Sequence, residues 1–153
     1  MRRMLLMLGL CSVLVVGATP VLATSPVTLT ITGATLTARV QVTVSFDVVC
    51  QPITDFINTD VINATMGAAI SVDQASGRAI AHASGGDVMP PGPPNVICDG
   101  ITVNHESVSA ISSTVPFHGG PAVAGVSVDI DDPGCIFCGG SEFGSVQAKV
   151  NLK

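Results

Sequence analysis

Four cysteines, Cys50, Cys98, Cys135 and Cys138, have the most chemistry to offer in this chain. Cys135 and Cys138 stand in Cys-Ile-Phe-Cys, the spacing of a thiol redox centre, which works when the first thiolate sits at a helix start in a βαβ scaffold. Here Asp132-Pro133-Gly134 precedes the pair and Gly139-Gly140 follows it, so the spacing reads as a staple across a loop. An even number of thiols in an exported domain forms bridges, here two in one of three connectivities, and of these the favoured one joins Cys50 with Cys98 and Cys135 with Cys138. The first pair ties the end of one strand to the start of another and closes a loop worth about 4 kcal/mol, against about 2 kcal/mol at most for the second. Zinc could draw on Cys98, Cys135, Cys138 and His118, but no second Cys-x-x-Cys and no paired histidine spacing accompanies them, and an oxidising compartment competes for the thiols.

Asp129, Asp131 and Asp132 end a strand just before a turn, a place where loop carboxylates can hold calcium. Calcium takes six to eight oxygens, so Asp60 or Asp99 would have to join from neighbouring loops, and the spacing matches no calcium loop. Solvated turn carboxylates are the simpler expectation. Catalysis finds little support: no G-x-S-x-G, H-E-x-x-H, Walker or Rossmann pattern occurs. His82 and His105 fall on expected strands and His118 in a turn, where each reads as a surface or packing residue. Asn63-Ala64-Thr65 fits a glycosylation acceptor, which matters in a eukaryotic source. Neither a catalytic residue nor a cofactor is expected.

The elements that must hold these residues are strands. From 34 to 50 the even positions Leu36, Ala38, Val40, Val42, Val44, Phe46, Val48 and Cys50 alternate with polar ones, broken only at Val49. A period of two, rich in β-branched residues, marks a strand with one face buried. Val27, Leu29 and Ile31 predict a shorter strand before it, closed by Gly33. Residues 51–66 read as a loop, with room for a helical turn. Ala68, Ile70 and Val72 form the inward row of a third strand, and Ala75-Ser76-Gly77 a hairpin into a fourth. The run Met89-Pro90-Pro91-Gly92-Pro93-Pro94 lacks the amides a sheet needs and serves as a stiff crossover rather than a polyproline ligand. Residues 101–112 supply one or two strands, and Ala122, Ala124, Val126, Val128 and Ile130 another. Val146, Ala148, Val150 and Leu152 supply the last. About seven short strands separated by Gly/Pro turns, with no convincing helix, predict an all-β antiparallel sandwich.

Residues 1–23 read as a secretory signal: Arg2 and Arg3, an apolar run over 4–16, and Val21-Leu22-Ala23 before the cut. The apolar run is shorter than the roughly 20 residues that cross a bilayer, so no membrane insertion is expected after cleavage. Residues 24–153 then form one domain. It carries four cationic side chains against eleven carboxylates, a formal charge of −7, which argues against nucleic acid or anionic lipid as a partner. With no Trp and no Tyr, the flat aromatic anchors of carbohydrate and peptide sites are missing.

The valine-rich strand ending in Cys50, the stretch Ile70-Ser71-Val72-Asp73-Gln74, the turn Cys98-Asp99-Gly100, and Phe117-His118-Gly119-Gly120-Pro121-Ala122 together carry a resemblance. The chain resembles small secreted bacterial proteins, common in actinobacteria, of unassigned function. The resemblance spans most of 27–153, and it implies an immunoglobulin-like β-sandwich that brings no catalytic residues. The expected function is therefore a secreted, non-enzymatic module that meets an extracellular or cell-surface protein. The alternative is a calcium-binding or redox-linked factor built on residues 129–138, with a secreted hydrolase third.

Overall fold

A computed structural model describes residues 26–54, 60–87, 96–132 and 141–153. The first two strands are β1 (Val27–Ala38) and β2 (Gln41–Cys50). The single strand expected over 34–50 is thus two strands, reversing at Arg39 and Val40. The reversal left no mark on the alternation because Leu36 pairs with Val42 across it, and partners of equal parity face the same side. Arg39 and Val40 are no turn formers. The turn is held from outside, with the Phe117 amide donating to the Arg39 carbonyl (2.7 Å) and the Ser112 amide to that of Val40 (2.7 Å). An irregularity between Ile31 and Gly33 shifts β1 by one residue against β2, so its inward row passes from odd positions to even.

After them come β3 (Ile53–Thr54), β4 (Asp60–Val61), β5 (Asn63–Ser76), β6 (Ala79–Asp87) and β7 (Val96–Ile97). β8 (Asn104–Ser112), β9 (Gly120–Asp131) and β10 (Ser141–Leu152) complete the chain. Seven of these are long, in line with the expected number, and three are two-residue strands. β3 and β4 lie inside the stretch expected to be a loop, and β5 begins at Asn63 rather than near Ala68 because Ala64 and Met66 extend its buried row. The hairpin after Ser76 turns at Gly77, whose φ of 63° suits a residue without a side chain. The proline run lies outside the described residues, which contain no helix.

Every pairing is antiparallel, in the order β1-β2-β8-β6-β5-β9-β10, with β7 on β5. The sheet is bent over into two layers, β1-β2-β8 against β6-β5-β9-β10. Ala83↔Ser112 and Ser84↔Ile111 join the layers at β8 and β6, and just past β8 the Ser113 amide donates to the His82 carbonyl (3.2 Å). At the other side the Leu36 amide donates to the Lys153 carbonyl (3.0 Å). The result lies between a sandwich and a barrel. Between the layers are Val42, Val44, Phe46 and Val48 from one side and Met66, Ile70, Val72, Val126, Val128 and Ile130 from the other, all buried. Cys50 ends β2 in one layer and is bonded to Cys98, which follows β7 beside the other layer. The backbone supports that bridge, with the Gly100 amide donating to Cys50 (2.9 Å) and the Cys98 amide to Ile62 (2.7 Å).

Candidate functional site

Of the residues singled out in the sequence, Cys50 and Cys98 are bonded as expected. Cys98 is consequently no thiolate, which removes it from the zinc set; Cys135 and Cys138 lie outside the described residues. Asp129 and Asp131 are exposed on the outward row of β9, two residues apart, and Asp132 follows the strand. Burial, and then the charge of Asp129, hold the Asp131 carboxyl above its ordinary value. Among the described residues no three His, Cys, Asp or Glu side chains converge as metal ligands would.

Two imidazoles sit in cross-strand pairs. His82 Nδ1 is 2.6 Å from Asp73 Oδ1, and His105 Nδ1 is 2.7 Å from Asp47 Oδ1, each pair directly opposed in the register. A nucleophilic site would add a hydroxyl on the second ring nitrogen. Neither ring bonds a hydroxyl among the described residues, and both pairs stand on open sheet. His118 belongs to a turn held from below by Gln74, the one buried polar side chain among the described residues. The Gln74 amide donates to the carbonyls of His118 (2.8 Å) and Pro121 (3.4 Å), while its oxygen accepts the His118 amide (2.9 Å). A glutamine on the apolar row Ala68, Ile70, Val72 was its signal in the sequence.

The feature that sequence inspection missed is the outer face of β6-β5-β9-β10. Register places Gly86, Ala69, Ser127 and Ser145 in one row across four strands, and Ser84, Ser71, Gly125 and Gln147 in the next. Apart from Gln147 these side chains are so short that the sheet is almost bare. Two adjoining shallow depressions of about 390 and 360 Å³ result, the second running to Gly67, Asp129 and Phe143. Tight spacing preserves the first, since a Cβ at Gly125 would stand 2.8 Å from Ser71 Oγ. Exposed Phe143, Val123, Ile80 and Ile111 lie around this bare area. The face offers hydroxyls and backbone, with apolar side chains and the Asp73–His82 pair at its margin.

No family model, no curated protein and no solved structure matches the chain.

Proposed function

We propose that the protein is an exported, immunoglobulin-like, non-enzymatic module that binds an extracellular or cell-surface protein through the outer face of β6-β5-β9-β10. The carrying observation is the double row of Gly, Ala and Ser, broken by Gln147 alone, across four paired strands. Short side chains have little rotamer freedom to lose, so a flat partner can close on the sheet at low entropic cost. The margin of Phe143, Val123, Ile80 and Ile111 supplies apolar area. Export is supported by the leader-like residues 1–23 and by a disulfide between the layers, a bond that persists where thiols are not kept reduced. The excess of carboxylates sets the partner apart from nucleic acid.

The test is retention of the purified, oxidised protein on intact cells of its source. Ser127→Arg and Ser145→Arg put long charged side chains on the bare rows without touching the core. Retention should fall at least about tenfold, a loss on the order of 1.4 kcal/mol, while the melting temperature stays in place. Equal retention of wild type and both variants would remove this face from the account.

A further inference from the structure

We propose that the depression over Asp129, Asp131 and Phe143 takes an arginine side chain of the partner protein. This deepens the reading of the outer face as a docking surface and rests on it.

Sequence and register together sort the charges. After Arg3 the cationic side chains are Arg39, Arg78, Lys149 and Lys153. Arg39 lies between β1 and β2, Arg78 between β5 and β6, and Lys153 follows β10. These three points share one end of the molecule. β10 finishes against the start of β9 and beside the end of β1, and Asp73, near the end of β5, pairs with Val123 near the start of β9. Lys149, opposite Val123, stands in the same half. Asp129 lies about 20 Å further along β9, and Asp131 beyond it. No cation after Arg3 therefore stands near them. Neither carboxylate has a hydrogen bond or ion pair among the described residues. Burial, and then the charge of Asp129, hold Asp131 above its ordinary value, and a cation between the two would relieve that repulsion.

Two carboxylates alone would be ordinary solvated groups, and it is their surroundings that select a ligand. Phe143 is directly opposite Asp129 and 63% exposed. On the other side Asp129 faces Gly67, which has no side chain. The ring, both carboxylates and the bare floor at Gly67 and Ala69 line one depression of about 360 Å³. A guanidinium lays its face on an aromatic ring and keeps N–H donors at its edge for carboxylates. An ammonium is a strongly hydrated point charge and gains less from the ring. Calcium takes six to eight oxygens, more than two aspartates supply. The excess of carboxylates over cations also draws a basic partner toward the protein.

The experiment follows the amide shifts of the full disulfide-bonded, isotope-labelled protein by NMR as Nα-acetyl-arginine amide is added to millimolar concentration. Nα-acetyl-citrulline amide, Nα-acetyl-lysine amide and calcium chloride are the parallel probes. The arginine probe should shift the amides of Gly67, Asp129, Asp131 and Phe143 ahead of those at Asp47 and Asp99. It should bind about tenfold tighter than the citrulline probe, as two exposed ion pairs and one ring contact allow, and about threefold tighter than the lysine probe. Asp129→Asn with Asp131→Asn should weaken it about fivefold, and Phe143→Leu should bring arginine level with lysine. Amide dispersion reports that each variant is folded. Absent shifts, shifts spread evenly over all carboxylates, equal binding of citrulline, a stronger response to calcium, or indifference to these variants would each overturn the proposal. Retention on cells separates it from the reading beneath it. Retention that falls with Ser127→Arg but not with Asp129→Asn and Asp131→Asn sinks the arginine alone. Retention indifferent to Ser127→Arg sinks the reading of the face, and the proposal with it.

Discussion

Gln74 shows how a single side chain can fix a turn from inside the core. Three backbone groups of His118 and Pro121 depend on it, and it is almost wholly buried. Gln74→Leu keeps the volume and strands those groups, so we expect a loss of about 3 kcal/mol in urea unfolding, within the range for unmade buried hydrogen bonds. An unchanged midpoint would mean that the turn holds itself. The carboxylates set the pH response. Burial keeps Glu142 and Glu106 above their ordinary value of 4.5, and Glu142 Oε2 is buried with no hydrogen-bond partner among the described residues. Their folded forms take up protons before the unfolded chain does, so each favours folding as pH falls from neutral toward 4.5 and opposes it as pH rises. Asp99 is the reverse. Hydrogen bonds from the Thr102 amide and hydroxyl and the Ile101 amide hold it below 3.8, so its contribution is present above that value and lost as pH falls through its lowered pKa. Glu142→Gln should therefore raise the unfolding free energy measured in urea at pH 7 by about 1 kcal/mol for an unpaired charge, with the gain shrinking toward pH 4.5. A gain that grows on acidification would contradict the assignment. The turn at Asp99-Gly100 was legible in the sequence, whereas the inward placement of Glu106 and Glu142 was not, because strand limits decide it.

At the scale of elements, the alternating rows at 42–50, 68–72 and 122–130 reported their buried faces faithfully. What they could not report was where a strand reverses without a turn signal, as at Arg39 and Val40, whose bonds come from Phe117 and Ser112 far along the chain. Register irregularities are hidden for the same reason, since the bulge at Ile31 and Gly33 exists only relative to β2. Gly85 marks the seam between β6 and β8. A Cβ there would lie 2.2 Å from the Ser109 carbonyl oxygen, so β6 and β8 pass too close for any side chain. Gly85→Ala must push backbone against backbone, and we expect a loss of about 2 to 3 kcal/mol in urea unfolding, as for overpacked cores. A neutral outcome would show that the two layers slide freely at this seam.

Over the whole molecule, two layers of small aliphatic side chains enclose the core without Trp or Tyr, and a bond between Cys50 and Cys98 joins them. With its ends 48 positions apart in the sequence, that bond contributes about 4 kcal/mol by restricting the unfolded chain. Its pairing could be read in the sequence because Cys50 closes an alternating row and Cys98 precedes a turn. The bare face could not. Its Gly, Ala and Ser come from four separate strands and look like ordinary outward residues until the register aligns them. Export followed by oxidation is the condition on which the account stands, and mass mapping of the non-reduced protein recovered from the medium of its source tests it most directly. The account predicts a chain beginning at Thr24 with the peptides of Cys50 and Cys98 joined. A chain kept inside the cell with residues 1–23 attached and both thiols open to alkylation would contradict it.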